Sequence, residues 1–138
     1  MDDPDDGKNL ESRPPTVEDL VKLCRSLNHT GARYLVIGGM AVIQAGFVRA
    51  TADIDLLVDA APENQEKIRT ALMELPDQAV REVQPDDLDN YVVVRVADEI
   101  VVDLMKTACG INYEEASKSI LRVNIEEPRS KLRGIFQI

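Results

Sequence analysis

The chain has 138 residues, 44% hydrophobic and 30% charged, with 16 Lys and Arg against 25 Asp and Glu and a formal net charge of −9. That length supports one domain with a core of its own, and the acidic balance argues against a surface that coats the phosphate backbone of a long duplex, which is driven by Lys and Arg. A nucleotide is not excluded, because a triphosphate can be held by a divalent cation and the cation by carboxylates.

Residues 1–15 carry three prolines and five acids against two bases. Such a segment cannot repay its ordering entropy and reads as a disordered acidic tail, leaving residues 16–138 as the single domain. The start, MDDPDDGKNL, is acidic where a secretion signal is basic and then apolar, and no apolar run of about 18 residues occurs, so a cytoplasmic protein without membrane contact is expected. Thr16-Val17-Glu18-Asp19 resembles a capping box, and Val17, Leu20, Val21, Cys24 and Leu27 recur at helical spacing, predicting a helix to about Leu27. Tyr34 to Ile37 is a short apolar run typical of a buried strand. Gly38-Gly39 ends it, and Met40 to Ala45 reads as a short apolar helix closed by Gly46.

Ile54 to Val58 reads as a second strand, followed by a helix that Pro62 starts and Pro76 ends. Tyr91 to Val96 and Glu99 to Leu104 are rich in valine and predict a hairpin turning tightly at Ala97-Asp98. Asn112 to Glu115 opens a further short helix, Leu121 to Ile125 suits an edge strand, and residues 128–138 form a basic tail without evident pattern. The order predicts a layered α/β or α+β domain, a sheet with helices packed mainly on one face. Cys24 and Cys109 show no metal-binding spacing and are expected as small core residues, and His29 falls in a helix-ending turn as a surface or cap residue.

Candidate chemistry concentrates in Arg49-Ala50-Thr51-Ala52-Asp53-Ile54-Asp55. Residues two apart on a strand share a face, so Asp53 and Asp55 can aim at one point, where a divalent cation would remove their repulsion. Equally, Asp53 can cap a turn and Asp55 can face solvent. Asp103 interrupts the apolar run Ile100 to Met105, where an unpaired buried carboxylate would be costly, although alternation also allows it to be a solvated outward residue of an antiparallel strand. If its strand lies beside that of Asp53 and Asp55, three carboxylates meet, an oxygen set that suits Mg²⁺. Gly38-Gly39, between a strand and a helix, lets backbone approach an anion closely, although a simple turn with positive φ explains the pair as well.

Ile37-Gly38-Gly39, thirteen residues, then Asp53-Ile54-Asp55-Leu56 resembles the signature of the nucleotidyltransferase superfamily that includes polymerase beta. The wider pattern, with Arg49 and Thr51 before the acids, Val102-Asp103-Leu104-Met105, and Gly110-Ile111-Asn112-Tyr113-Glu114-Glu115-Ala116, is similar to AbiEii-like toxins and related small nucleotidyltransferases. The resemblance implies a palm-like mixed sheet in which Asp53, Asp55 and Asp103 are catalytic and bind Mg²⁺ or Mn²⁺. It implies that Gly38 and Gly39 cradle an NTP, and Arg49 and Thr51 match its pattern either as phosphate contacts or as an ion pair and a hydroxyl that fix the strand's entry. Lys106, just beyond Asp103, can reach a phosphate or stay solvated. The activity implied is transfer of a nucleotide onto a hydroxyl of RNA, a protein or a small molecule, and the likeness to toxins suggests a component of a toxin–antitoxin pair.

Residues 128–138 do not match the helix that follows in relatives, which points to a minimal form or to a second copy completing the fold. A catalytically silent, antitoxin-like or regulatory protein of the same fold is the other reading. The net charge also divides by region: residues 1–20 hold seven acids and two bases, while residues 117–138 hold five bases and two acids. A nucleic-acid acceptor is therefore compatible with the acidic total.

Overall fold

The structure is a computed structural model that describes residues 12–38, 52–119, 121–126 and 130–135. Helix α1 spans Val17–Thr30 and strand β1 Tyr34–Ile37; β2 is Asp53–Val58 and α2 Pro62–Leu72. A 3₁₀ turn at Ala79–Glu82 and a one-turn α3, Asp87–Asn90, lead into β3, Val94–Ala97, and β4, Val101–Met105. A small hairpin of β5, Thr107–Ala108, and β6, Ile111–Asn112, precedes α4, Tyr113–Ala116, a 3₁₀ turn at Ser117–Ser119, and then β7, Leu121–Glu126, and β8, Ser130–Ile135. No helix among the described residues is long and apolar enough to cross a membrane.

The start of α1 follows the expected capping box. Thr16 Oγ1 accepts from the Asp19 amide at 3.1 Å, and the Asp19 carboxylate accepts from the Thr16 amide at 2.7 Å. Arg13 donates to both Asp19 oxygens, at 2.7 and 2.9 Å, and holds that carboxyl well below the usual carboxylate range. The helix runs three residues past Leu27, to Thr30, because Gly31 at φ 76° takes the left-handed cap. Ser12 and Arg13, within the predicted tail, are tied to the β3–β4 loop: Ser12 Oγ donates to the Asp98 carbonyl at 2.6 Å and the Arg13 amide to the Glu99 carbonyl at 2.9 Å.

The sheet is mixed, in the order β3-β4-β2-β1-β8-β7. β1 and β2 are antiparallel, β2 and β4 parallel, and β3 and β4 antiparallel, so four strands form the body that carries the acids. β7 lies at the edge, as its sequence suggests, but part of the basic tail is a strand: β8 pairs parallel to β1 and antiparallel to β7. Alternation sorts the side chains into two layers. Tyr34, Val36, Ile54, Leu56, Val102 and Leu104 pack with Leu20, Leu27, Ile68 and Leu72 of α1 and α2. Each such buried side chain contributes roughly 1.5–3 kcal/mol relative to exposure. Leu35, Ile37 and Leu57 face the other way, against Ala116 of α4, with Met105 and Tyr113 packed beside them. Among the described residues the longer helices thus cover one face, and the short α4 packs on the opposite one.

Two expectations change here. Cys24 is buried, its thiol pushed up to about 12 by burial, whereas Cys109 is exposed. Cys109 and Gly110, at φ 54° and 79°, form the two-residue turn between β5 and β6, which requires positive φ at both positions. The β3–β4 hairpin is real, but β3 starts at Val94 and the loop is Asp98 to Ile100. Ile100 is buried, and Asp98, also buried, accepts from the amides of Asp77, Ala79 and Glu99, each at 2.8 Å. This loop therefore closes onto the body of the protein instead of projecting as a tight turn.

Candidate metal centre

Three carboxylates converge on the sheet face away from α1 and α2. On β2, Ile54 and Leu56 point into the helix-covered core, so Asp53 and Asp55 must point the other way. On β4, Val102 and Leu104 enter the same core and Asp103 emerges on the acidic face. The parallel pairing sets Asp55 opposite Asp103 and Asp53 opposite Val101. One oxygen from each of Asp53, Asp55 and Asp103 lies within 4.8 Å of the others. Opposite ligands of a Mg²⁺ ion stand about 4.2 Å apart, given Mg–O bonds of about 2.1 Å, so small side-chain rotations bring this set to one ion.

The electrostatics of the cluster are strained. Burial, then repulsion from Asp53 and Asp103, raises the Asp55 carboxyl to about 6. Asp53 is raised for the same reasons, burial first and then Asp103. A cation relieves such a cluster.

Arg95 supplies one, and nothing in the sequence motif identifies it. Its Nε donates to Asp103 Oδ1 at 2.9 Å, and its Nη2 donates to Asp103 Oδ2 at 2.9 Å and Asp53 Oδ2 at 3.3 Å. The antiparallel register of β3 and β4 pairs Arg95 with Asp103. A turn at Ala97-Asp98 would have set a different partner opposite Arg95, so the longer loop is what creates this clamp.

Gly38 closes the cluster from β1. It has φ 77°, and a Cβ there would stand 2.5 Å from Asp55 Oδ2. Its missing side chain is space that the Asp55 carboxylate occupies. Gly39, Arg49 and Thr51, expected to bind phosphate, and the helix expected at Met40 to Ala45 lie outside the described residues.

The structure does not bring Lys106 to the acids. It follows the end of β4, three residues beyond Asp103 and so roughly 10 Å farther along the strand direction. Its ammonium donates to Asp89 of α3 at 3.1 Å. Lys106 also lines a cavity of about 610 Å³ with Arg33, Asp59, Asn112 and Tyr113, at the end of β2 remote from Asp53. His29 is exposed in the last turn of α1.

The arrangement is therefore a mixed α/β fold presenting an acidic triad able to coordinate a divalent cation. The chain matches no protein-family model, no curated protein and no solved structure.

Proposed function

We propose that this chain is a Mg²⁺-dependent nucleotidyltransferase of palm-like fold that moves a nucleotide from an NTP onto a hydroxyl acceptor. The observation that carries the reading is the register of β2 and β4, which faces Asp55 with Asp103 and gathers one oxygen from each of three acids within 4.8 Å. The resemblance of Gly38-Gly39 and Asp53-Ile54-Asp55 to the superfamily signature supports the same chemistry. Divalent cations at such a site neutralise charge on the transferred phosphates and make the acceptor hydroxyl easier to deprotonate.

In this reading Asp53 and Asp55 orient the metal from β2, and Asp103 adds a ligand from β4 on the side of the attacking group. Gly38 keeps the β1 terminus narrow enough for Asp55 to reach the centre, and Gly39, Arg49 and Thr51 serve the phosphates. RNA or a protein is the acceptor favoured by analogy with the AbiEii-like toxins that the motifs resemble.

A second reading, a silent protein of the same fold, draws on one observation: the Arg95 guanidinium already occupies oxygens of Asp103 and Asp53. A transfer assay separates the two. The protein, Mg²⁺ or Mn²⁺, labelled NTPs and total RNA or lysate are incubated alongside Asp53→Ala and Asp55→Ala. Label transfer that both substitutions abolish is the expected result. No transfer, with no metal-dependent NTP binding, would overturn the enzymatic reading.

A further inference from the structure

Arg95 reaches the acids because β3 leaves it no other direction. Val94 and Val96 are buried in the helix-covered core, so the residue between them must emerge on the acidic face, directly opposite Asp103. There it makes a forked pair with both Asp103 oxygens, the strong geometry of guanidinium with carboxylate, and one of the same nitrogens reaches Asp53. That nitrogen, Nη2, touches Oδ2 of both acids. A cation bridging those two oxygens would have to take its place.

The contact is also built to be released. The Arg95 side chain is 60% exposed, against 7% for Asp103, so the buried partner needs a counter-charge and the exposed one can leave without disturbing the core. Among the described residues β3 is an edge strand, with no further strand beside it. Next to Arg95 the surface opens into a cavity of about 230 Å³ shared with Arg13, Ala52, Asp53 and Val101. A guanidinium that turns away from Asp103 stays tethered to β3 beside the acids, where it can accept a different anion.

Resting on the metal-centre reading above, we propose that Arg95 is an internal counter-ion for the three-acid site. A binding divalent cation displaces it from Asp103 and Asp53, and it then pairs with the phosphates of the incoming nucleotide. Its planar fork suits a phosphate as it suits a carboxylate. The displacement makes metal binding weaker than three carboxylates alone would give, and it makes nucleotide binding stronger once the metal is in place.

The test uses Mn²⁺ titrated into the full chain, with free Mn²⁺ read by electron paramagnetic resonance, for the wild type, Arg95→Gln, Arg95→Lys and Asp103→Asn. Arg95→Gln is expected to bind Mn²⁺ about tenfold more tightly, the size of a charge-assisted hydrogen-bonded contact removed from competition. Arg95→Lys, which keeps the charge and loses the fork, falls between. In the wild type, Mg²⁺ shifts the Arg95 Nε–H resonance out of its carboxylate-bonded position in a nitrogen-correlated NMR spectrum. Mn²⁺-dependent binding of a non-hydrolysable NTP analogue weakens about tenfold in Arg95→Gln.

If the wild type binds Mn²⁺ and Asp103→Asn does not, but Arg95→Gln binds no more tightly, the counter-ion role is overturned and the metal centre stands. If neither the wild type nor Arg95→Gln binds Mn²⁺, the metal centre falls and the inference with it. Tighter metal binding with unchanged nucleotide binding overturns the phosphate half alone.

Discussion

Gly38 and Asp55 share one space. The Asp55 carboxylate oxygen lies 2.5 Å from where a Gly38 Cβ would stand, and Gly38 holds φ 77°, which L side chains rarely adopt. Gly38→Ala therefore strains the backbone and displaces Asp55 together. We expect a loss of about 2–3 kcal/mol in urea denaturation, with lost metal binding. The double variant Gly38→Ala, Asp55→Ala separates the two effects. It should recover the part due to crowding and keep the part due to φ, so that the single changes are non-additive.

The raised Asp55 carboxyl predicts a stability that depends on pH in the reverse of the usual acid sense. Its ordinary value is 3.8 and its value in the fold about 6. Below the ordinary value the group is neutral in both states and costs nothing. As pH rises through about 6, the folded protein must ionise a group that the unfolded chain ionised already, and stability is lost. Asp55→Asn removes that loss. Without metal, it should gain stability over the wild type between pH 5 and pH 7.5 by on the order of 1–2 kcal/mol, discounted for the solvent screening of a half-buried group. Adding Mg²⁺ should reverse the order, because the wild type alone keeps the full set of ligands. Its metal affinity should rise with pH through the same window as protons stop competing.

Much of this site is legible in the sequence for a plain reason. Asp53, Asp55 and Asp103 each break an apolar run, and period-two alternation fixes the face on which each must lie. Less legible is what depends on register and on chain remote in sequence. The four-residue span from Ala97 to Ile100 lacks glycine, so nothing local declares where the hairpin turns. The amides that bind Asp98 and hold that loop come partly from Asp77 and Ala79. Arg95 is therefore invisible as a partner of Asp103 until the register is known. The strand at Ser130–Ile135 carries no clean alternation, and its place parallel to β1 is a choice made by the whole sheet.

Asp98 gives a prediction that separates a structural acid from the three clustered ones. It is 3% exposed, and its two oxygens satisfy three backbone amides. Asp98→Ala leaves those donors unpaired in a buried place. Urea denaturation should show a loss of about 3 kcal/mol, larger than for Asp53→Ala, whose carboxylate lies in a cluster that repels itself. Because the same loop sets Arg95 opposite Asp103, the Arg95 Nε–H resonance should also lose its carboxylate-bonded position.

Asn64 performs the matching task at the other end of β2. It is fully buried in the first turn of α2 and reaches both flanking connections. Its Oδ1 accepts from the Arg33 amide at 2.7 Å, while its Nδ2 donates to the carbonyls of Arg33 at 3.0 Å and Asp59 at 2.7 Å. The amide side chain alone offers one acceptor and two donors in this arrangement. Asn64→Asp turns the donating end into an acceptor facing two carbonyls and buries a charge, so it should destabilise more than Asn64→Ala, which only leaves the partners unpaired. We expect losses of about 3–5 and 2–3 kcal/mol respectively in urea denaturation near neutral pH. The gap should narrow toward pH 4, where the introduced carboxyl protonates and can donate again. An Asn64→Asp protein no less stable than Asn64→Ala at neutral pH would show that these bonds do not hold the β1 and α2 entries in place.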